Sequence, residues 1–229
     1  MIVAGAKGLA KELLEIFSQR NALTNLYFFD NLSDDIPEKL FDRFLVIRSF
    51  DSAREVFKKS GDTSFCLGLG NPVLRHGLYK QFLEIGGTLK SVISQKADIG
   101  QFGTTIEEGC CILPGVVITS NVKLGKGCLV NPNATISHDT SLGDFVEISP
   151  GVNVTGNCSI GNFSFLGSNS VILPKVKIGQ NVIVGAGAVV TKDVPDNCMV
   201  VGIPAAVKKK LQPFEFMISI IPNESAYRS

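Results

Sequence analysis

The chain has no tryptophan and only two histidines, and just 19% of its 229 residues carry charge, below the quarter usual in soluble domains. Its 22 Lys and Arg nearly cancel its 21 Asp and Glu, leaving +1. That balance gives no electrostatic case for a nucleic-acid partner or an anionic membrane surface. No run of about 18 uncharged apolar residues exists, so no membrane span is expected. Residues 1–4 are too short an apolar opening, and too quickly followed by Gly5, to read as a signal peptide. Six cysteines stand at 66, 110, 111, 128, 158 and 198 without a Cys-x-x-Cys pair, which argues against zinc ribbons and thioredoxin chemistry. Free thiols in a reducing cytoplasm are expected. What is abundant instead is apolar residues, 45% of the chain, and 23 glycines.

A repeat accounts for that bias. From Ile106 to Val190 every sixth residue is Ile, Leu or Val, fifteen times in succession without a slip. A second column, every sixth residue from Cys110 to Val194, is always small or β-branched. An ordinary β-sandwich does not hold a six-residue register for so long. A six-residue unit is one short strand plus a corner, and three units make an 18-residue triangular coil. Neighbouring coils then pair as parallel strands about 4.8 Å apart. The aliphatic column fills the interior and the small column fits beside each corner. Gly125, Gly143, Gly161 and Gly179 recur at the coil period, marking a corner that needs positive φ or close backbone approach. Ile93 and Ile99 keep the rhythm one residue out of phase, which predicts a distorted first coil. Cys110, Cys128 and Cys158 fall in the small column and read as packed core thiols. Between Ile106 and Val190, 28 of 85 residues are Ile, Leu or Val and only 9 are charged. The low charge therefore belongs to one solenoid, not to the whole chain.

Residues 1–90 read differently. Residues 1–4, 26–29, 45–47 and 65–69 look like strands, and the stretches up to Arg20, 52–60 and 72–85 look helical. Alternating strand and helix implies a parallel sheet, about half of a doubly wound fold. Gly5-Ala6-Lys7-Gly8 after the first strand sets backbone N–H groups at a helix N-terminus, which attracts phosphate. Asp30 stands about twenty positions on, where an acidic residue accepts ribose hydroxyls. Gly68-Leu69-Gly70-Asn71 is a second Gly-rich turn suited to the same crevice. The pattern is Gly-x-x-Gly-x-Ala, not the full dinucleotide fingerprint, and these glycines can equally serve tight turns alone. His76 lies in a predicted helix and reads as structural or solvent-facing. His138 lies two residues after core position Ile136, on the outside or an edge of the coil, with Asp139 beside it to fix the imidazole tautomer and raise its basicity.

Residues 99–206, with the closing runs Val194-Pro195-Asp196-Asn197 and Val201-Gly202-Ile203-Pro204-Ala205-Ala206, resemble the left-handed parallel β-helix of hexapeptide-repeat acyltransferases. With the Ile136-Ser137-His138-Asp139 run and the small αβ domain in front, the chain is similar to bacterial sugar O-/N-acetyltransferases that modify UDP-linked amino sugars or sialic acids. The resemblance implies three segments. Residues 1–90 form a Rossmann-like domain for a nucleotide sugar, residues 91–206 the β-helix, and residues 207–229 a tail docked on the solenoid or a neighbouring subunit. It implies a cytoplasmic homotrimer using acetyl-CoA, without a metal, in glycan or surface-polysaccharide synthesis, with active sites between subunits. By that likeness His138 is the general base and Asp139 its acidic partner. Glu147, Gly167, Ser168, Gly185 and Ala186 line the CoA groove, and the Gly156 N–H is the candidate oxyanion donor. Lys7, Gly8, Asp30, Asn31, Gly70 and Asn71 hold the nucleotide sugar. The first turn departs from the family pattern: Leu9 stands where the family carries His. Lys7 is either a phosphate partner or the mark of a different nucleotide. The basic run Lys208-Lys209-Lys210 reads as a solvated face or a partner for the 3′-phosphate of CoA. Phe214, Phe216, Met217, Ile218, Ile220 and Ile221 are expected to dock.

Other readings account for less. A γ-class carbonic anhydrase needs three His ligands for zinc, and the solenoid has only His138. A bifunctional nucleotidyltransferase needs a longer, Arg-containing N-terminal domain. A NAD-dependent oxidoreductase leaves the solenoid unexplained. A sialic acid O-acetyltransferase, or a non-catalytic sugar-nucleotide binding or assembly protein, remains as an alternative; the latter has no need of His138.

Overall fold

The computed structural model describes residues 1–213. The first unit is a six-stranded sheet flanked by three helices. Its elements are β1 (Ile2–Ala4), α1 (Gly8–Gln19), β2 (Tyr27–Phe29), β3 (Lys39–Leu40), β4 (Phe44–Ile47), α2 (Phe50–Ser60), β5 (Ser64–Leu67), α3 (Pro72–Glu84) and β6 (Thr88–Leu89). The order is β3-β4-β2-β1-β5-β6, parallel throughout except that β3 runs antiparallel to β4. The expected strands and helices are present with ends moved by a residue or two. β3 and β6 were not expected: at two residues each, they are too short to carry a periodicity. The helix ends follow local chemistry. Ser49 Oγ accepts from Ser52 N at 3.1 Å and Gly61 closes α2 at φ 68°. Asn71 Oδ1 accepts from Val73 N and Leu74 N ahead of Pro72 in the first turn of α3.

From Val92 the chain winds into a three-faced prism, a parallel β-helix of two-residue strands. The first face stacks Val92–Ile93, Cys111–Ile112, Leu129–Val130, Glu147–Ile148, Phe165–Leu166 and Ile183–Val184, then Cys198–Val201. The second face runs from Asp98–Ile99 to Val189–Val190, and the third from Thr105–Ile106 to Lys177–Ile178. Coil-to-coil register is 18 residues, Ile118 against Ile136 for example. In the first coil it is 19, Ile93 against Ile112 and Ile99 against Ile118. The expected distortion is therefore one extra residue between Ile99 and Ile106.

Both sequence columns are interior. From Ile112 to Val190 the aliphatic column is buried, as is the small column from Cys110 to Val194, and together they form one continuous core. All six cysteines are free and buried. A third column was not anticipated. The residue three before each aliphatic position has positive φ at all fifteen corners, from Gly103 to Gly187, and includes Asn133, Asp139, Phe145 and Asn157. Left-handed turns thus make the corners, and Asn, Asp and Gly tolerate them best. The Gly125 series does not supply this conformation; its need is closeness. A Cβ on Gly161 would lie 2.4 Å from Gln180 N and 2.5 Å from Gly179 C in the next coil.

The final strand, Ala206–Lys210, pairs antiparallel with Cys198–Val201 at the end of the first face. It crosses the boundary expected at residue 206, so the sheet continues to Lys210, with Lys208, Lys209 and Lys210 exposed. The docking expected of Phe214, Phe216, Met217, Ile218, Ile220 and Ile221 lies outside the described residues.

The two units share a core. Val3, Leu13 and Phe28 of the first unit pack with Val92, Cys111, Leu113 and Leu129 of the prism. The N-terminal sheet therefore sits on the lower coils of the first face.

Candidate active site

His138 lies on the edge where the second face turns into the third, in the corner that follows Ile136. Its ring is 57% exposed and Nδ1 is 2.8 Å from Asp139 Oδ2. A carboxylate only accepts, so the neutral imidazole donates through Nδ1–H and carries its lone pair on Nε2. Gly156, one coil on, lies beneath the ring: a Cβ there would fall 2.7 Å from His138 Cε1 and Nε2. The two turns are also tied by Asn157 N donating to His138 O at 2.9 Å. Asp139 sits in the left-handed corner position (φ 59°). Hydrogen bonds from Asn121 and His138 hold its carboxyl below the usual range, so it stays ionised through the neutral range. Asn121, whose Nδ2 is 2.5 Å from Asp139 Oδ1, was not among the expected site residues. The signal was available, since Asn121 precedes Asp139 by one coil period.

The candidate nucleotide crevice lies at the C-terminal ends of β1, β2 and β5. A cavity of about 220 Å³ is lined by Gly5, Ala6, Lys7, Asp30, Asn31, Ser33, Gly68 and Leu69, among others. The two Gly-rich turns touch: a Cβ on Gly5 (φ 138°) would lie 2.4 Å from Gly68 O. Glycine is thus required there for backbone contact. α1 begins beside this cavity and has no side-chain cap at Lys7, so no capping side chain occupies its first N–H groups. Lys7 Nζ is 3.3 Å from Asp35 on the surface. Asp30 Oδ1 accepts from Leu32 N and Ser33 N, leaving Oδ2 for other donors. Gly8 lines an adjoining cavity of about 310 Å³ with Lys7, Lys11 and Asp35. Gly70 and Asn71 stand just beyond the cavity lining, and the Asn71 side chain is committed to capping α3.

Glu147 stands on the first face of the prism, in the strand Glu147–Ile148. It is buried at the junction of the two units, with Oε1 and Oε2 3.4 and 3.5 Å from where a Cβ on Gly70 would be. Its partner is Arg75, 3.7 Å away and 1% exposed. Arg75 donates to Gly127 O at 3.0 Å, Phe145 O at 2.8 Å, Val146 O at 3.1 Å and also to Gly70 O. Burial raises the Glu147 carboxyl above its usual range although Arg75 pulls it down. Gly167, Ser168, Gly185 and Ala186 lie together on the edge between the first and second faces. A Cβ on Gly167 would meet Ala186 N at 2.7 Å, and one on Gly185 would meet Val201 Cγ1 at 2.8 Å. Their lack of a side chain is already required by coil stacking; Ser168 is half-buried and Ala186 exposed.

His76 packs against Phe145, Phe163 and Tyr79 at the junction, in keeping with a structural role. Among the described residues no group of three or more His, Cys, Asp or Glu is arranged to hold a metal ion, and no helix is long and apolar enough to cross a membrane.

Comparison with known proteins gives three kinds of result. The repeat profile described as bacterial transferase hexapeptide (six repeats) matches residues 103–138 and 157–192. No curated protein matches by sequence. Several solved structures match over nearly the whole chain. WeeI from Acinetobacter baumannii is 30% identical with a TM-score of 0.79, covering 90% of this chain and 98% of its own. The acetyltransferase domain of PglB from Neisseria gonorrhoeae, in complex with acetyl coenzyme A, is 28% identical with a TM-score of 0.80, covering 90% and 97%. A mutant perosamine N-acetyltransferase from Caulobacter crescentus, in complex with CoA and GDP-perosamine, is 25% identical with a TM-score of 0.83, covering 91% and 96%.

Proposed function

The chain belongs to the hexapeptide-repeat sugar acetyltransferases, and from that premise we propose that it moves an acetyl group from acetyl-CoA to the amino group of a nucleotide-linked sugar. The observation that carries this reading is His138, with Nδ1 on Asp139 and Nε2 lying over Gly156. The sugar amine attacks the thioester carbonyl while Nε2 takes its proton. The N–C bond forms, the C–S bond breaks, and the proton passes from His138 to the departing CoA thiolate. General-base catalysis of this kind contributes about 10²–10⁴-fold, and holding the two substrates together supplies much of the rest. Asp139 keeps the tautomer and stabilises the imidazolium. The Gly156 N–H donates to no protein acceptor among the described residues, and beside Nε2 it suits a developing oxyanion.

The sugar nucleotide binds the crevice, its phosphates at the start of α1 near Lys7 and Gly8 and its ribose at Asp30 and Asn31, with Gly70 and Asn71 bordering the sugar. CoA runs along the edge of Gly167, Ser168, Gly185 and Ala186. Lys208, Lys209 and Lys210, exposed at the end of the first face, offer charge to its phosphates. The crevice unit sits on the first face, and His138 sits on the edge opposite that face. This supports a homotrimer in which one subunit brings the sugar nucleotide to the His138 of the next, a closed ring that flat faces favour.

The test is release of CoA thiol from acetyl-CoA in the presence of GDP- and UDP-linked amino sugars, for the wild-type protein and His138→Ala. Loss of about 10²–10⁴-fold is expected on removing the base; equal rates in the two would refute its role. Sugars bearing only hydroxyls serve as the comparison that separates amine from hydroxyl acylation.

A further inference from the structure

The hydrogen-bond chain that ends on His138 does not begin at Asp139. Asn121 occupies the same edge one coil earlier and takes the same left-handed turn, φ 57° against 59°. Its Nδ2 donates to Asp139 Oδ1 at 2.5 Å, while Asp139 Oδ2 receives His138 Nδ1 at 2.8 Å. Each carboxylate oxygen thus has its own partner, and among the described residues no other group bonds to either. The backbone beneath is tied as well: Asn121 N donates to Phe102 O at 2.7 Å and Asp139 N to Ser120 O at 3.3 Å.

Asp139 stands on an exposed corner. With a single partner its carboxylate would be free to swing, and that freedom must be given up each time the imidazole is aligned. A second donor on the opposite oxygen fixes its plane beforehand. We propose that Asn121 is a positioning residue for the transfer, holding the Asp139 carboxylate so that His138 keeps Nδ1–H toward it and Nε2 toward the substrate. The side chain fits this task and few others do. It must donate, and it must tolerate positive φ, which Asn does readily. Aspartate would set two carboxylates against each other, and glycine would keep the turn but supply no donor. The inference rests on His138 acting as the general base.

The turn and the donor separate cleanly in Asn121→Gly, which preserves the backbone conformation and deletes only the amide. The assay is CoA release with the amino sugar that the wild-type protein turns over best, for N121G, Asp139→Ala, the double variant and His138→Ala. N121G should lower kcat about tenfold while both KM values stay within about twofold, the pattern of an interaction made for the transition state. In the D139A background the same change should cost nothing more, because residues acting through one another do not add. An unchanged kcat in N121G, or a tenfold loss repeated in the D139A background, overturns the inference. His138→Ala separates the two levels. If it keeps the wild-type rate, the general-base reading fails; if it is inactive while N121G is unaffected, only the role of Asn121 fails.

Discussion

His138 and Gly156 form a contact in which the smaller residue sets the position of the larger. The imidazole is more than half exposed, so little of its alignment comes from core packing. It comes from Asp139 on one nitrogen and from a glycine surface beneath the other. Gly156→Ala would put a methyl 2.7 Å from Cε1 and Nε2, and the ring would have to swing away from Asp139. The expected result is a fall in kcat of about a hundredfold, the scale associated with misplacing a catalytic group by roughly 1 Å. Because the ring is on the surface, the melting temperature should change far less than for a core variant. Steady-state kinetics beside a thermal melt checks both halves. Asp139 was legible as the partner of His138 because the two are adjacent in sequence. Gly156 was named as a neighbouring-coil donor, but its closeness to the ring was not foreseen, and Asn121 was missed, since both contacts come from coils above and below. They become visible only when residues are compared at a separation of about 18 rather than at neighbouring positions.

Elements here are held less by propensity than by stacking, and the glycine corners show it. Gly161→Ala has no unfavourable φ to blame; the added carbon would meet backbone atoms of the next coil at 2.4–2.5 Å. Overpacking of this kind costs about 1–3 kcal/mol, and a lowered denaturation midpoint in the purified protein is the readout. The rule at those corners was open in the sequence between positive φ and close approach, because glycine satisfies both. The Arg75–Glu147 junction was not legible at all. Arg75 lies in a helix of one unit, and its partners are mostly main-chain carbonyls of the other, which no side-chain pattern announces. Arg75→Met should strip the charge from a buried pair and leave carbonyls without donors, a loss of about 3–5 kcal/mol. The loss will depend on pH. Burial already raises the Glu147 carboxyl above its usual range, and without Arg75 the rise grows. A carboxyl raised in the folded state favours folding below its unfolded value and loses that contribution as pH climbs through the folded value. R75M should therefore be less destabilised at about pH 5 than at about pH 8. Denaturant titrations at the two pH values test this, and a penalty that shrinks at the higher pH would contradict it.

At the scale of the molecule, the low charge and high apolar content resolve into a prism that needs little surface charge because much of one face is covered. The N-terminal unit buries Val92, Cys111 and Leu129 of the first face, and the repeat made that architecture readable in advance. Where the second unit would sit on the prism was not readable, because each half of that contact is an ordinary apolar residue in its own segment. The placement has a functional consequence. The crevice lined by Lys7 and Asp30 rides on the first face, while His138 lies on the edge opposite. In the proposed trimer the crevice of one copy meets the His138 edge of another. Two variants, each inactive alone, should consequently repair one another. His138→Ala retains a sound crevice; the double change Lys7→Ala and Asp30→Ala retains a sound base. Co-expressed in equal amounts and assembled at random, they form a working site wherever an intact crevice meets an intact His138, about one in four. The expected outcome is CoA release near a quarter of the wild-type rate from the mixed assembly, against almost none from either variant alone. If every site were built within a single chain, the mixture would be as inactive as its components.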